Sequence, residues 1–153
     1  MTPAMLATIG YEGTTVQRVI EVLREAGVTL LVDVRAVASS RRPGFSKSRL
    51  AAHLEEAGIG YLHLRGLGTP AEGRAAARAG RHDEMRRIFG GHLSMPEAQE
   101  ELEELAGIIR SGRRCCLLCF EADHRHCHRT MVAAAVSSLV PVDIVHLAPH
   151  EGE

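Results

Sequence analysis

The fold is decided by the stretch VTLLVDV, which spans residues 28–34. Most of its residues are β-branched or apolar, and polar positions do not alternate with apolar ones. This pattern is typical of a strand that is covered on both faces, as the strands of parallel sheets are. The residues on either side of it predict helices that alternate with further strands.

Five strands are predicted in all, at residues 6–9, 28–34, 59–64, 114–120 and 142–147. Four helices lie between them, with capping boxes at Thr14 and Ser94, a cap at Ser46 and a start near Cys127. For residues 65–91, the least regular segment, we expect a loop with one short helix. The order of elements predicts a single α/β domain over residues 1–153, a three-layer sandwich in which a mostly parallel five-stranded sheet has helices on both faces.

The composition is that of an ordinary globular protein. The 153 residues are 45% apolar and 24% charged, which excludes a disordered, collagen-like or coiled-coil chain. The 18 Lys and Arg residues against 19 Asp and Glu give a net charge of -1, so the strongly basic field of a dedicated duplex-binding protein is absent. The 4 cysteines are too few for a disulfide scaffold, and no apolar run is long enough to span a membrane. We expect a reduced, cytoplasmic protein.

Polar residues follow three of the predicted strands, where parallel sheets bind their ligands. They are Gly10 and Tyr11 after the first strand, Asp33 and Arg35 at the end of the second, and Cys119 and Glu121 at the end of the fourth. These groups meet at one edge of the sheet if the three strands are neighbours. The sequence therefore predicts a ligand pocket at that edge.

Two features near the second strand indicate an anionic ligand. Asp33 and Arg35 share one face of the strand, where they either orient a substrate or pair with each other. Residues 41–49, RRPGFSKSR, then carry cations and no acid, and their cap Ser46 leaves free N–H groups at a helix start. This segment is either a phosphate or sulfate site or a solvated basic loop. We favour a phosphate-bearing ligand, with Arg41 among the residues that bind it.

Residues 119–129, CFEADHRHCHR, are the segment richest in reactive side chains. In one interpretation they form a catalytic edge, with Glu121 as the acid or base. Cys127 and His128 then stand at a helix N-terminus, where the dipole lowers the pKa of a thiol. Arg129 binds an anionic group or holds Asp33 in place.

Three other interpretations of this segment stay open. The spacing Cys119-x5-Arg125 after a strand is that of a thiol phosphatase or sulfurtransferase, although Glu121 and Asp123 would repel a dianion. The cysteines and histidines suit a metal, but no C-x2-C or H-x3-H pair is present, so we assign no metal ligand. The last interpretation is that these residues have a structural role only, with Cys119 as a buried thiol of the hydrophobic core.

The chain closely resembles the domain of unknown function 488 family. The matching stretches are residues 9–10, 31–35, 40–41 with Phe45, 58–61, 67–68, 117–121 and 127–129. The resemblance implies a compact α/β domain with a shared site, and it implies no particular reaction. This chain has Tyr11 and Glu12 where the family tends to carry His-Ser, and Ala38 and Ser39 where the family often has proline before Ser-Arg.

Together these features predict an enzyme that acts on a nucleotide or a nucleic acid, by hydrolysis. The alternatives are a non-catalytic module that binds the same ligands and a thiol-dependent phosphatase or sulfurtransferase. The candidate catalytic residues are Asp33, Glu121, Cys119, Cys127 and His128. The candidate substrate-binding residues are Gly10, Tyr11, Arg35, Arg41 and Arg129. The sequence assigns no cofactor and no oligomeric state.

Overall fold

The computed structural model describes residues 3–149, which contain a five-stranded, wholly parallel sheet. Its strands are β1 (Ala4–Gly10), β2 (Leu30–Asp33), β3 (Gly60–His63), β4 (Cys115–Cys119) and β5 (Val142–His146). The order across the sheet is β3-β2-β4-β1-β5. The predicted α/β class is confirmed, and β4 lies between β1 and β2.

Six α-helices of the described residues cover both faces of the sheet. They are α1 (Val16–Glu25), α2 (Lys47–Glu56), α3 (Ala71–Arg78), α4 (His82–Leu93), α5 (Pro96–Arg110) and α6 (Arg129–Ser137). α1 and α2 pack on one face, around a core that contains Leu31. α3 to α6 cover the other face, in a second core that contains Phe89 and Leu117. The sandwich has the predicted layers, and none of these helices combines the length and apolar character needed to cross a membrane.

The segment at residues 65–91 holds two α-helices, where the sequence predicts one. α3 presents only the small residues Gly73 and Ala76 to the core, so it lacks the large apolar stripe by which helices are recognised. α4 buries Met85 and Phe89 and is easier to recognise. This difference matters because α3 lies beside the candidate site.

The predicted helix caps are only partly right. Thr15 caps α1 by accepting a hydrogen bond from the N–H of Arg18, so the box predicted at Thr14 is one residue too early. Ser94 is the C-cap residue that follows α4, and the N-cap of α5 is Met95. Ser46 does precede α2, but its hydroxyl donates to the carbonyl of Ser40 and accepts from the N–H of Ser40, and it accepts no hydrogen bond from an N–H of the helix.

The register of the sheet places the carboxyl ends of the three central strands side by side. Cys119 in β4 pairs with Gly10 in β1, and Leu118 pairs with Asp33 in β2. The segments that follow these strands therefore start from one edge of the sheet. The candidate site is built there.

Candidate functional site

A cavity of about 250 Å³ opens at the carboxyl edge of the sheet. Tyr11 and Arg35 line it from the segments after β1 and β2, and Cys119 and Glu121 from the end of β4. α3 supplies a further part of the lining. The cavity thus lies where parallel sheets bind their ligands.

Four titratable side chains meet beside this cavity: Cys119, Glu121, Cys127 and His128, called the thiol cluster below. The Sγ atom of Cys119 lies 3.3 Å from Oε2 of Glu121 and 3.5 Å from Nδ1 of His128. The Sγ atom of Cys127 lies 3.8 Å from the same nitrogen. Two residues come from the end of β4 and two from the residues before α6, so the fold joins groups that are separate in sequence.

The imidazole of His128 has a defined orientation. Its Nε2 atom lies 2.7 Å from the backbone carbonyl of Val34, which can only accept a hydrogen bond. Nε2 therefore carries a proton, and Nδ1 is left to face the two sulfur atoms. The ring also packs edge-on against Phe89, at a centroid distance of 4.9 Å.

The cluster shifts the pKa of each of its members. Burial and the nearby Cys127 raise the pKa of Glu121. The hydrogen bond with Cys127, together with burial, raises the pKa of Cys119 well above its usual value. Burial opposes ionisation of Cys127, but hydrogen bonds from Cys119 and His128 outweigh it and lower the pKa of Cys127. Burial likewise opposes the charge on His128, but Cys127 outweighs it and raises the pKa of His128.

Asp33 lies apart from this cluster, in a buried ion pair with Arg35. The guanidinium NH2 of Arg35 is 2.6 Å from Oδ2 of Asp33, and Nε is 2.9 Å from Oδ1. The hydroxyl of Tyr61 donates a third hydrogen bond to Oδ2, at 2.6 Å. Asp33 is fully buried and does not line the cavity, so the structure gives it the role of holding Arg35 in place.

Arg35 is fixed on its other side as well. Its NH1 group donates to the carbonyl of Phe45 at 2.8 Å and to the hydroxyl of Tyr11 at 3.2 Å. Burial lowers the pKa of Arg35, but the hydrogen bond and the charge of Asp33 outweigh it and raise the pKa overall. Arg35 and Tyr11 both line the cavity, as the sequence predicts for binding residues.

Arg129 and Gly10 support the loop after β4 and do not line the cavity. Arg129 is fully buried, and its guanidinium donates to the backbone carbonyl of Glu121 at 2.6 Å and to that of Ala122 at 3.3 Å. A Cβ atom at Gly10 would lie 1.8 Å from the same Glu121 carbonyl oxygen. Both residues were expected to contact the ligand, but their contacts are with the backbone that carries Glu121.

Arg41 is exposed on the loop before α2 and does not line this cavity. Its neighbour Arg42 donates to the carbonyl of Thr14, and none of residues 41–49, all of which the structure describes, lines the cavity. The expected anion site around residues 41–49 is thus separate from the thiol cluster.

Sequence reasoning missed several residues that do line the cavity. Arg74 and Arg78 stand one turn apart on α3, and their i, i+4 spacing would have indicated a shared face once the helix was recognised. Phe120 also lines the cavity and is 41% exposed. Tyr61, the partner of Asp33, does not line the cavity and was not predicted as a site residue, although it lies in a stretch that resembles the family.

Comparisons with known proteins identify the family of the chain. The family model described as "Domain of unknown function DUF488" matches residues 15–136, a range that includes the whole thiol cluster. Neither the curated proteins nor the solved structures contain a significant match to the chain. The chain therefore belongs to the DUF488 family, whose function is unknown.

Proposed function

We propose that this protein is an enzyme that hydrolyses a phosphate-bearing substrate, either a nucleotide or one nucleotide unit of a nucleic acid strand. One observation carries the proposal: Glu121 contacts Cys119, which in turn contacts His128, beside a cavity that three arginines also line. This arrangement combines a proton-transfer group with cations that bind an anion.

The charges around the cavity favour an anionic substrate. Arg74 is half-buried and held by a hydrogen bond from its NH1 group to the carbonyl of Thr69, at 2.8 Å, while Arg78 is exposed. The charge of Arg35 is already balanced by Asp33. The two arginines of α3 therefore supply the positive charge, in the planar form that binds phosphate through paired hydrogen bonds.

The size and lining of the cavity favour a nucleotide. Its volume of about 250 Å³ is just below the range of roughly 300–1,000 Å³ that is usual for small-molecule sites, which suits one nucleotide unit. The ring of Phe120 stands edge-on to Tyr11 at 5.4 Å and is partly exposed. An exposed aromatic ring beside an anion site provides a surface on which a base can stack.

Glu121 is the group to which we assign proton transfer. Among the described residues, its carboxyl is the acidic side chain that lines the cavity. The contacts of Gly10 and Arg129 with its backbone hold it in position. In hydrolysis it would take a proton from the attacking water or give one to the leaving oxygen.

The test is a Glu121→Gln variant assayed on a panel of nucleoside phosphates, cyclic nucleotides and short oligonucleotides. We expect kcat to fall by about 10²–10⁴-fold, the usual contribution of an acid–base group, while ligand affinity is kept. The matched control is Glu103→Gln, which changes an exposed glutamate of α5 and should leave turnover unchanged. Binding of panel members by the wild-type protein without turnover of any would overturn the proposal in favour of a binding module.

A thiol-dependent phosphatase or sulfurtransferase is the second candidate. It is favoured by the 3.5 Å contact between Cys119 and His128, because Nδ1 of His128 can take the proton that the raised pKa of Cys119 otherwise keeps on its sulfur. In the phosphatase case a P–S bond to Cys119 forms as the P–O bond to the leaving group breaks. Acid quenching during turnover, followed by mass spectrometry, would then reveal a phosphorylated peptide that contains Cys119. A Cys119→Ser variant should lose this adduct, whereas Cys116→Ser, in the same strand, should keep it.

A further inference from the structure

Three atoms of the thiol cluster surround a single point: Sγ of Cys119, Sγ of Cys127 and Nδ1 of His128. All three lie within 4.8 Å of one another, and all three residues are buried. From this geometry we propose that Cys119, Cys127 and His128 bind a zinc ion, with a fourth coordination position open to the cavity.

The distances between the ligand atoms match a tetrahedral zinc site. With Zn–S bonds of about 2.3 Å and Zn–N bonds of about 2.1 Å, a sulfur and a nitrogen ligand lie about 3.6 Å apart. The two sulfur atoms lie 3.5 Å and 3.8 Å from Nδ1 of His128. One ion can therefore contact all three atoms with little movement of the side chains.

The surroundings of the ligands are those of a metal-binding histidine. His128 donates its Nε2–H group to the carbonyl of Val34, and this bond turns Nδ1 towards the sulfur atoms. Metal-ligating histidines commonly hold their second ring nitrogen in this way. The contacts of Arg129 with the carbonyls of Glu121 and Ala122 fix the loop that joins the ligands. The site is thus rigid before any ion enters.

The donor set selects the metal. Two thiolates and one imidazole suit zinc and similar borderline ions, and they do not suit magnesium or calcium, which prefer oxygen ligands. Two thiolates also balance the charge of a divalent ion. A neutral complex is favoured here because the three side chains are only 3–5% exposed.

The fourth position faces the cavity, because Cys119 and His128 belong to its lining. Three protein ligands and one open position are the arrangement of catalytic zinc sites, where a bound water is activated. Oε2 of Glu121 lies 3.3 Å from Sγ of Cys119, so this carboxyl group lies beside the proposed ion and is the candidate acceptor for a proton from that water. This role would deepen the proposed hydrolysis, but the binding of zinc does not depend on the substrate.

The first test is elemental analysis of the full chain, purified without a histidine tag and without added metal. We expect about one zinc ion per chain, as in mononuclear protein sites. The metal is then removed under reducing conditions and Co²⁺ is added, because zinc itself has no ligand-field spectrum. The cobalt protein should show the ligand-field bands of a tetrahedral site together with thiolate-to-metal charge-transfer bands. Absence of every transition metal from the purified protein, together with no such spectrum on Co²⁺ addition, would overturn the proposal.

Variants separate zinc binding from general damage to the fold. Cys119→Ala and Cys127→Ala should each weaken zinc binding by more than about 100-fold. Removing a residue that only hydrogen-bonds to a metal ligand already weakens binding by up to about 100-fold, and these variants remove a ligand itself. Cys116→Ala removes an equally buried thiol from the same strand and should keep zinc at the wild-type stoichiometry. Equal losses in all three variants would contradict the assignment. Turnover by zinc-free protein would refute only the catalytic role of the ion. Stoichiometric zinc without turnover would refute only the proposed function, and the zinc site would stand.

Discussion

The hydroxyl of Tyr61 lies 2.6 Å from Oδ2 of Asp33, so that β3 is joined by a side-chain hydrogen bond to the end of β2. The carboxylate of Asp33 also receives the guanidinium of Arg35. Asp33 thus has partners on both oxygens and does not itself line the cavity. The triad of Tyr61, Asp33 and Arg35 fixes one wall of the site, and its disruption should be measurable as a loss of stability.

Tyr61→Phe should destabilise the protein by about 1.5–3 kcal/mol, the usual value for a hydrogen bond to a charged group. The buried carboxylate of Asp33 would lose one of its hydrogen-bond donors. The measurement is the free energy of unfolding from urea denaturation. Tyr11→Phe is the matched control, since Tyr11 only accepts a longer hydrogen bond from Arg35, at 3.2 Å, and its loss should be smaller. Equal effects of the two variants would contradict the assigned role of Tyr61.

Asp33→Asn should destabilise the protein by about 3–5 kcal/mol, because it leaves the charge of Arg35 buried without a partner. Removing both charges together, in Asp33→Asn with Arg35→Met, should restore part of this loss. The comparison of unfolding free energies among the two single variants and the double variant measures the coupling. Strict additivity of the two single effects would show that the residues do not act as a pair.

Gly10→Ala should displace the loop that carries Glu121, since its Cβ would lie 1.8 Å from the Glu121 carbonyl oxygen. We expect a fall in thermal stability and loss of turnover in the same variant. Gly107→Ala is the control: this glycine lies in α5, and a Cβ there has nothing within 4 Å. It should stabilise the protein by about 0.5–1 kcal/mol. A Gly10→Ala variant as stable and active as the wild type would contradict the close contact.

Replacing Arg74 and Arg78 together by alanine should weaken binding of the phosphate-bearing substrate. Two charge-assisted contacts of about 1.5–3 kcal/mol each correspond to a rise in KM of at least about 100-fold, with a smaller change in kcat. Arg87→Ala changes an exposed arginine of α4 outside the cavity lining and should leave KM unchanged. Unchanged KM in the double variant would exclude α3 from the binding site.

Stability should fall as the pH is lowered through the titration of His146. Burial, together with the neighbouring His124 and Arg129, lowers the pKa of His146 in the folded state. The unfolded chain therefore binds a proton first, so this contribution is complete above the unfolded pKa of about 6.5 and is lost as the pH falls through the lower folded pKa. Unfolding free energies of the wild type and His146→Gln over this range give the test, and the variant should show the weaker pH dependence.

The sequence predicts the fold well because the buried strands carry a strong local signal. Residues 28–34 are apolar on both faces, and the order of strands and helices then leaves few possible topologies. The prediction from sequence fails at α3, where the buried side of the helix consists of Gly73 and Ala76. Small residues pack closely but add almost nothing to a hydrophobic pattern, so the helix that carries Arg74 and Arg78 could not be recognised.

The location of the candidate site at the carboxyl edge of the sheet could be predicted from the sequence. The contacts among its side chains could be predicted only in part. The strand-end rule brings Cys119 and Glu121 to this edge, and the helix start predicted at Cys127 adds Cys127 and His128. The structure places all four together. Spacing alone argues against a metal, since the ligands are separated by seven residues and lie on different elements. Only the close approach of the end of β4 to the start of α6 reveals their common point.

The place of β4 in the sheet also has a consequence for the order in which the molecule can assemble. β1 and β2 come first in the chain, yet they do not pair with each other, and β4 joins them from more than 80 residues further on. During synthesis the edges of β1 and β2 that pair with β4 therefore stay unpaired until residues 115–119 have been made. Folding should thus include a slow, long-range step, and chaperones that shield unpaired strand edges should accelerate recovery of this protein from denaturant.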